Sequence, residues 1–276
     1  MDLETVARDV NALADFLGKR DVPELTPDAL KARLGIGRAD VCTLFGGAIL
    51  GGADVLAEAI RAGVASRYAI VGGAGHTTEA FRERVWELCP DVGFADEAPE
   101  ADVFEAYLET RHGLKADLLE RRSTNCGNNV TYLRDLLEER HIECGSMILI
   151  HDESMQRRIE AQVRQEMPGT TPVSFASYRV RVVPDAGSEG DGPERVPGLA
   201  FEGEPYGIWT MQRYLTLLMG EMPRLHDDAE GYGPRGRGFI PYVEVPADVW
   251  DAFLRLRAEY PESVRKAVPA RAASEQ

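Results

Sequence analysis

Tyr68-Ala69-Ile70-Val71-Gly72-Gly73-Ala74-Gly75-His76-Thr77-Thr78 is the stretch whose reading decides the fold. Its apolar opening, rich in β-branched residues, suits a buried strand. Its glycines suit a tight turn, and from Thr78 to Leu88 the pattern turns helical. Glycines let backbone N–H groups approach a ligand without interference from a Cβ. The first turn of a helix adds unpaired donors and partial positive charge. The turn is therefore a candidate place for an anionic or nucleotide-like ligand. It is neither a full G-x-G-x-x-G fingerprint nor a Walker loop with its lysine. The plain alternative is a tight βα turn that holds no ligand.

The same alternation extends in both directions. Strands are expected over 41–45, 68–71, 117–120, 147–151 and 173–176, and helices over 53–62, 78–88, 103–112, 128–140 and 155–166. Strands alternating with helices imply a Rossmann-like parallel sheet of about five strands with helices on both faces, an α/β fold. Leu3, Val6, Ala7, Val10, Leu13, Ala14 and Leu17 repeat at helical spacing, and Thr26-Pro27-Asp28 caps a second short helix, so residues 1–37 form an N-terminal helical segment. The sheet domain is expected over 38–184. Residues 185–205, rich in Gly, Pro, Asp and Glu, read as a long flexible loop. Helical patterns return over 207–219 and 247–259, so 206–263 form a helical C-terminal appendage, and 264–276 a fraying tail.

Composition narrows the function classes. With 31 Lys+Arg against 46 Asp+Glu the net charge is −15, which disfavours nucleic acid and anionic membrane surfaces as partners. No stretch approaches the ~20 apolar residues of a membrane-spanning helix, and the first residues lack the basic and apolar regions of a signal peptide. A cytoplasmic protein is expected. The four cysteines, Cys42, Cys89, Cys126 and Cys144, show no C-x-x-C pairing, so no zinc knuckle or disulfide framework is expected.

Ligands of parallel sheets bind beyond the carboxyl ends of the strands, so the residues that follow each strand are the candidates. They are Gly46 and Gly47; Gly72, Gly73, Gly75, His76 and Thr78; and Ser123, Asn125, Cys126 and Asn129 within the polar run 122–129. One helix cap needs one such residue, and the excess in that run suggests ligand contacts. Gln156 and Arg157 follow the fourth strand, where an arginine at a helix N-terminus opposes the dipole unless an anion offsets it. Cys126 at a helix N-terminus is a candidate nucleophile with His76 as its base, against the commoner role of an inert small hydrophobe. His151-Asp152 and His226-Asp227-Asp228 lack the spacing of metal motifs, and no metal is expected. Arg235 and Arg237 stand in a glycine-rich run, as a salt-bridge clasp or as a loop folded over the cleft to meet an anion.

The series Gly72-Gly73-x-Gly75-His76-x-Thr78, Ser123-Thr124-Asn125-Cys126-Gly127-x-Asn129 and Met155-Gln156-Arg157-Arg158 resembles the YdcF-like branch of the SanA/ElyC/YdcF domain-of-unknown-function family. The runs Gln212-Arg213-Tyr214-Leu215, Gly220-Glu221-Met222-Pro223-Arg224-Leu225 and Gly231-Tyr232-Gly233-Pro234-Arg235-Gly236-Arg237 extend the likeness to about Trp250. The resemblance implies a Rossmann-like sheet with a helical C-terminal appendage, no membrane anchor, and binding of S-adenosylmethionine without an established reaction. By position it implies site roles for Glu105, Asn125, Asn129 and Arg157. Asn128 stands where that family usually has glutamate, which speaks against a general-acid or metal role there. The wider family often has threonine at the Cys126 position. The expected function is binding of a nucleotide-type small molecule, S-adenosylmethionine first. The alternatives are a hydrolase or transferase acting on a phosphorylated small molecule, and a ligand-sensing module without chemistry.

Overall fold

The computed structural model describes residues 1–47, 49–75, 77–185, 187, 195–203, 207 and 209–264. Five parallel strands, β1 (Ala39–Phe45), β2 (Ala65–Val71), β3 (Leu118–Glu120), β4 (Ser146–His151) and β5 (Thr171–Ala176), form one sheet in the order β3-β2-β1-β4-β5. The helices are α1 (Leu3–Leu17), α2 (Pro27–Leu34), α3 (Gly51–Ala62), α4 (Thr78–Leu88), α5 (Glu100–His112), α6 (Cys126–Glu139), α7 (Gln156–Glu166), α8 (Met211–Leu225) and α9 (Ala247–Glu259).

The central strands are apolar on both faces because helices cover both. Cys42, Leu44, Ile148 and Ile150 point into a core shared with Leu56 of α3 and Phe104 of α5. Their neighbours Val41, Phe45, Met147 and Leu149 point the other way, onto Val130 and Leu133 of α6 and Ile159 of α7. The chain builds outward from β1 through β2 to β3, and α6 then carries it back across to β4. The strand order therefore reverses between β1 and β4. That reversal opens a crevice at the carboxyl ends, where such sheets hold their ligands.

A third core joins the two ends of the chain. Val6, Val10, Leu13 and Leu17 of α1 pack against Tyr214 and Leu218 of α8 and Phe253 and Leu256 of α9. The Arg255 guanidinium donates to both oxygens of the buried Asp9 carboxylate at 2.7 and 2.9 Å. The segment read as one N-terminal unit is thus divided. Its first helix belongs to the C-terminal core, while Leu30 of α2 joins the sheet core.

Several boundaries differ from the sequence reading for local reasons. α5 starts at Glu100, behind Pro99, and α6 starts at Cys126 because Asn125 caps it. α8 starts late, behind the Thr210 cap, and runs to Leu225 through Pro223, which is tolerated in its last turn. Part of the expected loop over 185–205 is strand β7 (Leu199–Phe201), paired antiparallel with β6 (Val182–Pro184). Most of the remainder, like the tail after 264, lies outside the described residues. Among the described residues no helix is long and apolar enough to cross a membrane.

Candidate functional site: the two flanks of the β1 terminus

Gly46 and Gly47 follow β1, and their missing side chains face different neighbours. A Cβ on Gly46 would lie 2.3 Å from Glu100 Oε2, on the β2 flank, whereas a Cβ on Gly47 would lie 3.3 Å from His151 Cε1, on the β4 flank.

The β2 flank is built from the glycine turn. Its backbone donors are engaged within the protein: Gly46 N–H to the Val71 carbonyl at 2.5 Å, Gly72 N–H to the Glu120 carbonyl at 3.0 Å, Gly73 N–H to Ser123 Oγ at 2.9 Å and Gly75 N–H to Thr78 Oγ1 at 2.7 Å. The glycines are needed for the approach of chain to chain. A Cβ at Gly73 would lie 2.0 Å from the Ser123 carbonyl oxygen, and one at Gly72 would lie 2.9 Å from Glu100 Cβ. Glu100 opens α5, and its backbone N–H bonds the Gly73 carbonyl at 3.0 Å. That bond swings the side chain into the notch between Gly46 and Gly72. Glu100 is only 8% exposed, and its Oε1 accepts from Thr78 Oγ1 at 2.9 Å. Burial raises its pKa above the ordinary glutamate value, with the Thr78 hydrogen bond acting in the opposite direction.

Glu105, the acid singled out by the resemblance, lies at the opposite edge of the sheet. Its Oε2 accepts the Ala116 N–H at 3.1 Å, ahead of the first residue of β3. Little in the sequence separates Glu100 from Asp102, another acid in the same helical turn. Only the fold shows which of them enters the notch.

After β3, most of the polar run is engaged in local structure. Ser123 is buried as the acceptor for Gly73. Asn125 caps α6 by accepting the Asn128 N–H at 3.1 Å, and Asn128 Oδ1 accepts the Asn125 N–H at 3.1 Å, a reciprocal capping box. Asn129 is buried in the first turn. His76 and the Cys126 side chain lie outside the described residues.

The β4 flank has a different chemistry. His151 is 1% exposed, lies 6.0 Å from the Phe45 ring, and neither ring nitrogen has a hydrogen-bond partner. Burial, with Arg158 adding to it, pushes the imidazole down to about 3, so the ring is uncharged at neutral pH. Asp152 is fully engaged: it accepts from Ser154 Oγ at 2.6 Å, Tyr178 Oη at 3.1 Å and Trp209 Nε1 at 2.6 Å. Glu153 accepts from Tyr214 Oη at 2.8 Å and is raised to about 8, chiefly by burial. Arg158 pairs with Glu221 of α8 at 2.5 and 3.1 Å, and Glu221 also meets Arg224 at 2.9 Å. Burial alone would raise Glu221, but the two guanidinium groups outweigh it and hold the carboxyl below its ordinary range. Trp209, Tyr214 and Glu221 thus fasten the α8 region to the sheet edge.

The segments that carry the arginines read as anion receptors are bonded within the protein. Arg157 donates to the Phe16 carbonyl and lies 4.2 Å over the Phe16 ring, so it closes the C-terminal end of α1. Gln156, its neighbour, donates Nε2 to the Leu149 carbonyl at 3.1 Å. Arg235 and Arg237 lie in a loop that bonds its own root. Arg235 N–H donates to Asp227 Oδ1 at 2.8 Å and Arg237 N–H to the Gly231 carbonyl at 3.0 Å. His226 bonds Asp228 at 2.9 Å and stacks on Trp250 at 3.8 Å. Among the described residues no group of three or more His, Cys, Asp or Glu is arranged to hold a metal ion. No protein-family model matches this chain.

Proposed function

We propose that this protein binds a nucleoside-type small molecule, S-adenosylmethionine foremost, over the carboxyl ends of β1, β2 and β4. The observation that carries this reading is the Glu100 carboxyl group set in the glycine notch between Gly46 and Gly72. A carboxyl group there suits the hydroxyls of a ribose or a cationic sulfonium or ammonium group, and it opposes a phosphate. The engagement of the turn's own donors supports the same choice, as does the docking of Arg157 of α7 against the end of α1. A phosphorylated substrate has less support, because it needs donors and positive charge where the notch offers an acid.

Calorimetry with S-adenosylmethionine, S-adenosylhomocysteine and adenosine, set against sugar phosphates, tests the reading. The adenosyl compounds are expected to bind. Glu100→Gln is expected to weaken S-adenosylmethionine by roughly tenfold to a hundredfold, the range for a hydrogen bond to a charged group. Tighter binding of a sugar phosphate, or wild-type affinity in a folded Glu100→Gln variant, overturns it.

A further inference from the structure

His151 stands out among the buried polar groups of the sheet edge. It lies where the strand order reverses, and both its ring nitrogens lack a partner. A buried polar atom left without a hydrogen bond is destabilising, and this ring carries two. Gln156, the first residue of α7, adds a third, since its Nε2 is bonded to the Leu149 carbonyl but its Oε1 has no partner. Leu149 and His151 share one face of β4 by the alternation of a strand. Both polar side chains therefore serve the α6/α7 side of the sheet.

Asp152 and Glu153 next door are satisfied by Trp209, Tyr178, Ser154 and Tyr214, so within the turn from 151 to 156 the unpartnered atoms are those of His151 and Gln156, while Thr43 Oγ1, Glu120 Oε2, Gln162 Oε1 and Arg237 Nε are buried without a partner elsewhere. The ring is covered by Gly47, which is itself only half-buried and has no side chain to interpose. Gly47 thus sits against the imidazole at the carboxyl end of β1.

We propose that His151 and Gln156 form a recognition subsite for the nitrogen edge of a purine base, entered past Gly47. An imidazole with one N–H and one bare nitrogen offers a donor and an acceptor, and the Gln156 oxygen adds an acceptor. A purine's amino and imine nitrogens complement that set without bringing a charge. Phe45, 6.0 Å from the imidazole, supplies an aromatic wall. The low affinity of the ring for protons keeps it in the donor-plus-acceptor form through the physiological range. This subsite rests on the nucleoside reading above and adds to it: Glu100 would meet the sugar or the charged end, and His151 the base.

The test uses the wild-type chain labelled with 15N-histidine. Its five histidines give a spectrum simple enough to assign. Adenosine and S-adenosylmethionine are expected to move both His151 ring nitrogens, while methionine and ribose 5-phosphate, which lack the base, leave them in place. His151→Phe, folded to the same melting temperature, is expected to bind adenosine at least tenfold more weakly. Adenosyl compounds that bind in a Glu100-dependent way while the His151 resonances stay still overturn the subsite and leave the nucleoside reading intact. His151 shifts produced equally by baseless ligands also overturn it. An absence of binding by every adenosyl compound overturns both.

Discussion

On the β2 flank of the β1 terminus the backbone donors of Gly46, Gly72, Gly73 and Gly75 are each bonded inside the protein, and one carboxylate oxygen, Glu120 Oε2, is buried without a partner. On the β4 flank, one residue further along, an imidazole lies buried with neither nitrogen bonded. The first flank is rigid because its glycines let three strand ends and Glu100 touch. The second is held by side chains of α8 and carries a surplus of hydrogen-bonding capacity. The contrast bears on how glycine-rich turns are read. Glycine marks a close approach, and the approaching group here is backbone and the Glu100 side chain on one flank and the His151 ring on the other.

The comparison breaks first at Gly73. Its Cβ would meet backbone at 2.0 Å, an atom that cannot swing away. Gly73→Ala is expected to cost about 3 kcal/mol, the upper end of overpacking, in urea unfolding. A loss below about 1 kcal/mol would show that the β2 flank is loose, and the contrast would fail.

The β4 flank has its own signature in pH. The folded state holds the Glu153 proton up to about 8, whereas the unfolded chain releases it near the ordinary value of 4.5. The folded state thus binds more protons in that window, and stability falls as pH rises through it, by at most about 1.4 kcal/mol per pH unit from this one group. Asp152, also raised by burial, adds in the same direction. Glu153→Gln is expected to flatten the decline measured by thermal melts across the window. An unchanged slope would mean that the Tyr214–Glu153 contact carries no proton into the fold.

The smallest effect is expected at Arg235, in the C-terminal loop. Its side chain is exposed and its backbone N–H is bonded to Asp227. Arg235→Ala should change stability by less than about 0.5 kcal/mol and leave adenosyl affinity unmoved. A clear loss of affinity would bring the C-terminal loop into the site and make the comparison three-sided.

The five strands were legible because each is an apolar run between turn residues, but their order was not, since the same alternation of strands and helices serves any order of a parallel sheet. The three residues of β7 were not, since a strand that short among glycines and prolines has no period to detect. Gly46, Gly47 and the glycine turn were found at the strand ends, but their partners were hidden. Whether an acid at the start of α5 is solvated or buried depends on glycines more than 25 residues away in the chain. Arg157 looked like an anion receptor because the turn of α1 that it closes is 141 residues distant. His151 drew notice only as a metal ligand, a role that takes no account of its burial.

The pairing of α1 with α9 has a consequence for how the protein is made. Asp9 and Arg255 are 246 residues apart. At a synthesis rate of about 5–20 residues per second, α1 leaves the ribosome roughly 12–50 seconds before its partner exists. The parallel sheet can assemble in that interval, because β5 precedes α8 in the chain. The apolar stripe of Val6, Val10, Leu13 and Leu17 meanwhile has only α7 and β6 to lie against, without α8 and α9. A nascent chain stalled after the sheet should therefore be bound by holdases at its first helix, and release should follow only when α9 emerges. α1, translated before the sheet, is among the last helices to be fully buried.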